Sequence, residues 1–285
     1  MPTNDPRPSK AERRDEARLK AIEMREQQKK REKRNRTIAI SGLVAAVVVL
    51  VVVVALILGQ TKTTAGGAAY TGDAVKIADV AKPSTAEDNG AIPVGATGKA
   101  GEAPATGDVV VSVYFDYMCP YCHQFETAND AELATLRAAG GVTVEYHPVS
   151  ILDGLSSGTE YSTRAANAVA VVADQAPDKF SAFNTALFAN QPAENSQGLS
   201  DDEIAKLALT AGVPQSVVDK LTGTTTVSGK SWRTFAPYIA ALTTQASVDL
   251  GSSYGTPTVL INGTAFKGDL YTAGPLTDAI VAAKG

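Results

Sequence analysis

The chain has 285 residues, 44% of them hydrophobic and 20% charged, a formal net charge of −4 and two cysteines. It is long and apolar enough to bury a core, and a single pair of cysteines is too few for a disulfide-stapled scaffold. No phosphate-binding loop, catalytic triad or nucleic-acid-binding patch stands out, so no nucleic acid is expected as a partner.

Charge is segregated along the sequence. Residues 1–36 hold 13 Lys/Arg against 7 Asp/Glu, residues 37–61 hold no charge, and the remainder holds 13 Lys/Arg against 23 Asp/Glu. The first block is rich in helix formers, with Glu16/Lys20, Glu26/Lys30 and Glu32/Arg36 at i,i+4. It reads as a solvated basic tail beside anionic lipid headgroups. Residues 38–58 are 21 uncharged residues of Ile, Ala, Val, Leu, Ser and Gly. As a helix they reach roughly 30 Å, the thickness of a bilayer's hydrocarbon core. A cleavable leader has a shorter apolar region that ends in a small-x-small site, whereas this one runs into Gly59-Gln60-Thr61-Lys62. The expectation is one transmembrane helix over 37–59, with 1–36 cytoplasmic by the positive-inside rule. Everything after it then lies outside the membrane, where disulfides persist.

Residues 60–90 are rich in Gly, Ala, Thr and Ser and read as a flexible tether, with local structure expected only at 73–80. Ala91-Ile92-Pro93-Val94 suits an edge strand, because proline cannot donate to a ladder. The folded domain is expected over 91–285, its main body beginning near Asp108. The β-branched run 109–115 reads as a buried central strand. It leads directly into Cys119-Pro120-Tyr121-Cys122 and a helix over 119–138, with Phe125, Leu133 and Leu136 as apolar positions and Gly140-Gly141 at its end. Strand, C-x-x-C, helix is the sequence form of a redox site. Two intervening residues let a first helical turn bring the sulfurs close enough to join. The helix N-terminus favours a thiolate at Cys119, and Pro120 fits a first turn that needs no N–H.

Residues 142–146 alternate as the next strand and lead into His147-Pro148. Helical spacing follows at 161–175, 178–189, 200–211 and 237–250, the third opened by the capping box Ser200-Asp201-Asp202-Glu203. Trp232, Phe235 and Tyr238 share helical spacing and read as core or insertion packing, with a substrate groove as the alternative. Residues 256–261, the turn Asn262-Gly263 and 264–266 form a hairpin, and 276–284 a closing helix. Asn262-Gly263-Thr264 also fits a glycosylation sequon, which the turn explains adequately.

With these elements in order, the chain resembles DsbA-type thiol-disulfide oxidoreductases of the thioredoxin superfamily over roughly 91–285. The resemblance rests on Phe115-Asp116-Tyr117-Met118-Cys119-Pro120-Tyr121-Cys122-His123-Gln124-Phe125-Glu126, on a helical insertion over about 153–250, and on Gly255-Thr256-Pro257-Thr258 before the hairpin. It implies an α/β thioredoxin fold with a large helical insertion, preceded here by the single transmembrane helix. Cys119 is then the nucleophile and Cys122 the resolving thiol, with no metal and no cofactor. Pro257 is the match to a cis-proline opposite the pair, and Thr256 offers its main-chain groups to a substrate strand. Glu126 is either the family's proton-relaying acid or an ordinary surface glutamate. Pro120, Tyr121 and His123 are modulators, and Asp116 takes a turn or cap role.

The activity this implies is oxidation of cysteines in exported proteins, with re-oxidation by a membrane partner linked to quinone. The expected potential is closer to DsbA's, about −120 mV, than to thioredoxin's, about −270 mV. Reductases and isomerases of the same fold share the Pro-Tyr dipeptide and are the alternative. Two readings come from other classes. One is a peptide-binding module without redox chemistry. The other is a c-type haem carrier, because Cys119-x-x-Cys122-His123 is also a haem attachment pattern, for which His147 remains as the distal ligand.

Overall fold

The computed structural model describes residues 68–285, so the expected basic tail and transmembrane helix lie outside the described residues. Among the described residues no helix is long and apolar enough to cross a membrane. In chain order the first elements are β1 (Ile92–Val94), β2 (Val109–Phe115), α1 (Pro120–Ala138) and β3 (Val142–Pro148). Next come α2 (Tyr161–Gln175), α3 (Phe180–Ala189), α4 (Asp201–Thr210), α5 (Gln215–Val218), β4 (Thr224–Val227), β5 (Lys230–Arg233) and α6 (Ala236–Leu250). The chain closes with β6 (Thr258–Ile261), β7 (Thr264–Ala265) and α7 (Pro275–Lys284).

Five strands form one mixed sheet in the order β1-β3-β2-β6-β7. The β-branched β2 lies at its centre, parallel to β3 from Val109↔Val142 to Phe115↔Pro148 and antiparallel to β6. Two parallel neighbours need a crossover, and α1 supplies it. The first turn of α1 therefore stands at the carboxyl end of β2. Val111, Val113 and Phe115 share the main core with Phe125 and Leu133 of α1. Helix α1 buries Cys122, Phe125, Glu126, Asn129, Leu133 and Arg137, which recur every three to four residues and so line one face. On the other side of the sheet, Tyr114 packs with Val149 and Ala246 of α6.

In the block between β3 and β6, α2 is buried from Tyr161 to Ala173 without interruption. Its many alanines let neighbouring helices approach on every side. Phe180, Phe183 and Leu187 of α3 are fully buried, each contributing about 1.5–3 kcal/mol. Arg164 of α2 and Arg233 of β5 both pair with Asp201 of α4, at 3.1 and 2.5 Å. The expected capping box at Ser200 and Glu203 is formed. At the β6–β7 turn Asn262 (φ 48°) and Gly263 (φ 76°) both take left-handed conformations, the requirement of a tight two-residue hairpin. Asn262 also accepts from the Val110 N–H and donates its own N–H to the Val110 carbonyl, at 2.9 and 2.8 Å.

Two expectations are corrected. Residues 68–90 are not a loose tether: the local structure expected at 73–80 is there as a short 3-10 turn whose Ile77 enters the core, and the residues on either side of it are bonded down as well. The Ala69 N–H donates to Glu160 (2.6 Å), the Ser84 N–H to Asp174 (2.8 Å) and the Thr85 hydroxyl to the Ala173 carbonyl (3.2 Å). Small polar residues suggest a linker by composition, yet here their N–H and hydroxyl groups find partners on α2 and on Glu160 at its N-cap. The packed body thus reaches back well before Asp108. The second correction concerns Trp232, which lies on β5 of a hairpin turning at Ser228 and Gly229. Phe235 caps α6 and Tyr238 lies within it. The three-residue spacing is a coincidence across a strand and a helix, although all three side chains are buried.

Candidate active site

Cys119 is the N-cap of α1, with an extended backbone (φ −77°, ψ 115°), and Pro120 occupies the first helical position. The Cys119 carbonyl accepts the N–H groups of Cys122 (3.0 Å) and His123 (3.2 Å), closing the first turn. Both thiols are free. Cys119 retains 5% exposure while Cys122 is fully buried, so an incoming sulfur reaches Cys119 first. The Cys119 thiol is lowered from 9.0 to about 6. The largest cause is the hydrogen bond from the Cys122 thiol, followed by the Thr256 side chain and the N–H groups of Cys122 and Tyr121, all against an opposing contribution from burial. Burial pushes the Cys122 thiol well up, reinforced by its neighbour Cys119. The pair is therefore asymmetric: one sulfur is readily ionised and the other holds its proton.

The loop before β6 closes over this pair. The Thr256–Pro257 peptide bond is cis, and the Cys119 thiol donates to the Thr256 carbonyl at 3.2 Å. That contact suits only the protonated sulfur. When the thiol ionises, this carbonyl is released for another donor.

Beneath the pair lie two buried carboxyl groups. Glu126, 8% exposed, is not a surface residue. Burial, helped by the charge of Asp130, raises its carboxyl from 4.5 to about 8. Tyr117 donates its hydroxyl to Asn184 (2.8 Å), which donates in turn to Glu126 (2.7 Å). Asp116 is fully buried at the end of β2 and accepts from Met118 N–H, Leu152 N–H and the Ser162 hydroxyl at 2.8, 3.0 and 2.6 Å. Burial raises this carboxyl from 3.8 to about 7 against the pull of those donors.

Sequence reasoning missed Asn184 and Gln191. The Gln191 side-chain amide donates to the carbonyls of Tyr117 (3.0 Å) and Cys119 (2.9 Å), holding the turn from outside. His123 places Nδ1 2.8 Å from the Phe188 carbonyl. His147 instead stacks on Tyr114 at 4.2 Å, on the side of the sheet covered by α6. The two histidines that a haem would need as axial ligands are thus not brought together. Beside Cys119 the surface is aromatic: Tyr121 and Tyr271, 56% and 44% exposed, have ring centroids 5.7 Å apart.

A thioredoxin family model matches residues 100–276, which include both cysteines and Pro257. The chain belongs to the thioredoxin family. Among solved structures, this thioredoxin-family chain is similar to reduced DsbA from Mycobacterium tuberculosis, with 28% identity and a TM-score of 0.51 over 68% of this chain and 99% of that one. DsbG from the same organism matches with 28% identity and a TM-score of 0.50 over 67% and 92% of the two chains. BdbD from Bacillus subtilis, 21% identical with a TM-score of 0.53 over 75% and 99%, shares the fold. Among curated proteins, a 120-residue stretch is 33% identical to part of the serine/threonine-protein kinase PknE of Mycobacterium tuberculosis. That stretch is 41% of this chain and spans only 20% of the kinase's length. An ionisable thiol at a helix start, a protonated partner one turn on, and this family fold make the chain a thiol-disulfide oxidoreductase.

Proposed function

We propose that this oxidoreductase is an extracytoplasmic oxidase that introduces disulfides into exported proteins, anchored by residues 37–59 with residues 1–36 on the cytoplasmic side. In its oxidised form Cys119 and Cys122 share a disulfide. A substrate thiolate attacks the Cys119 sulfur, the bond between the two cysteines breaks, and Cys122 leaves with the electron pair. The Cys122 sulfur takes up a proton, and Glu126, one turn along the same buried face and raised to about 8, is the acid that carries one there at neutral pH. A second substrate thiolate then attacks the substrate sulfur of the mixed disulfide and displaces Cys119 as its stable thiolate. The substrate loses two electrons, the enzyme holds them as a dithiol, and a membrane partner linked to quinone removes them. The Thr256 carbonyl, freed when Cys119 is a thiolate or disulfide, accepts from the substrate main chain as in strand addition. Pro257, which has no N–H, leaves that edge open.

The observation that carries the reading is the lowered Cys119 thiol. A stabilised thiolate stabilises the reduced enzyme and makes its disulfide oxidising. Thioredoxin and DsbA, with thiols near about 7 and about 3.5, mark the range. A thiol at about 6 stands nearer the thioredoxin end, which favours reductase or isomerase activity as a second reading and moves the expected potential away from −120 mV. One pH unit is worth about 1.4 kcal/mol, or about 30 mV for two electrons. The potential expected is therefore about 30 mV above thioredoxin's, or about −240 mV. Equilibration of the detergent-solubilised full chain against glutathione couples measures it. A value at or above about −240 mV, with oxidation of a reduced unfolded substrate, upholds the oxidase. A value at or below −270 mV, with rapid insulin reduction and no substrate oxidation, overturns it in favour of the reductase.

A further inference from the structure

We infer that Asp116 is a positioning residue for the redox pair, whose buried carboxyl group clamps the turn that presents Cys119 to two segments outside that turn. Through its main chain Asp116 touches both cysteines. Its carbonyl accepts the Cys119 N–H at 3.1 Å, and its own N–H is directed at the Cys122 sulfur. Through its side chain it reaches away from them. One oxygen accepts from Met118 N–H and the Ser162 hydroxyl, at the start of α2; the other accepts from Leu152 N–H, 36 residues along the chain.

A plain turn role does not require this arrangement. An Asp or Asn that only closes a turn uses one oxygen toward its own backbone and sits at the surface. Here the side chain is fully buried, and a buried carboxylate is costly unless its lone pairs are filled. Every group facing the two oxygens can donate, and two are N–H groups that can do nothing else. The site is built for an acceptor pair. Its mechanical effect falls on Cys119, because the Tyr121 and Cys122 N–H groups that favour the thiolate keep their direction only while the turn from Asp116 to Cys119 is fixed.

The inference deepens the redox reading of the pair, but its test follows Cys119 itself and does not depend on the direction of electron flow. Thiolate absorbance against pH and equilibration with glutathione are measured on the full chain for D116N, S162A and D153N. Asp153 is the control: it is a nearby carboxylate that caps α2 through Thr163 N–H (3.0 Å) and hydroxyl (2.6 Å) and bonds to no part of the redox turn. In D116N the Cys119 thiolate fraction at pH 6 is expected to fall at least threefold, with a less oxidising potential. S162A, which removes one clamp bond and leaves the Asp116 side chain and its other bonds in place, shifts both in the same direction by less. D153N lowers Tm and moves neither. Should D116N fail to fold, S162A alone decides. Unshifted titrations in the folded variants, or a Cys119 thiol that ionises more easily, overturn the inference.

Discussion

Replacing Glu126 with Gln tests the buried acid directly, because a glutamine keeps the shape of the protonated carboxyl and still accepts from Asn184. In the folded protein the carboxyl is raised from 4.5 to about 8, so between those values the native state binds a proton that the unfolded state has released. Stability from this group is complete below pH 4.5 and is lost as pH rises through 8. At about 1.4 kcal/mol per pH unit the full difference is about 5 kcal/mol, of which about 4 kcal/mol falls between pH 5 and pH 9. Asp116, raised to about 7, tilts the curve the same way in both proteins. The readout is therefore the difference between E126Q and the unmodified chain, measured by denaturant unfolding at pH 5 and pH 9 with the pair reduced. E126Q is expected to be near-neutral at pH 5 and more stable by several kcal/mol at pH 9. It should also exchange more slowly, because Gln cannot carry the proton to Cys122. Parallel stability curves for the two proteins across this range would refute the buried, proton-holding role.

Further outcomes follow from the same geometry. Cys119→Ser abolishes exchange, while Cys122→Ser accumulates mixed disulfides with client proteins on non-reducing electrophoresis; no covalent adducts in Cys122→Ser would reverse the assigned roles. Gln191→Ala removes two hydrogen bonds from the redox turn, costing about 1–3 kcal/mol and raising the Cys119 thiol. A Gln191→Ala protein with unchanged stability and titration would show that the amide is dispensable. Protease shaving of intact cells is expected to remove residues 62–285 and spare 1–36; loss of the tail first would contradict the proposed orientation.

The parts of the site legible in the sequence are those fixed by short-range rules. Cys119-Pro120-Tyr121-Cys122 follows a β-branched strand, and the N-cap and first-turn positions of its first two residues follow from that alone. Asn262-Gly263 specifies its turn because both residues must adopt positive φ. The packing of residues 68–90 was illegible for the opposite reason. Its bonds from Ala69 to Glu160 and from Ser84 to Asp174 span 91 and 90 residues, and nothing in Ala, Ser or Thr marks a main chain that will find a distant carboxylate. Glu126 falls between these cases. Its helical phase with Cys122 is visible in the sequence, but its burial depends on α3 lying across it.

That dependence bears on what sets the chemistry of the pair. Three residues of α3 and the stretch just after it reach the redox turn and the first two turns of α1: the Asn184 side chain to Glu126, the Phe188 main-chain carbonyl to His123, and the Gln191 side chain to the carbonyls of Tyr117 and Cys119. None involves the two residues between the cysteines. Pro120 and Tyr121 act on Cys119 by starting the helix and presenting its N–H groups, whereas the insertion determines how rigidly those groups are aimed and whether the nearby acid keeps its proton. Two chains with the same Cys-Pro-Tyr-Cys stretch can therefore differ in potential if residues equivalent to 184–191 differ. Oxidising and reducing members of one fold need not be distinguished by the dipeptide. In this chain, substitutions at Gln191 and Asn184 should move the Cys119 thiol and the Glu126 carboxyl separately, the first through the turn and the second through the acid. A potential insensitive to both would place its control back within the Cys-x-x-Cys turn.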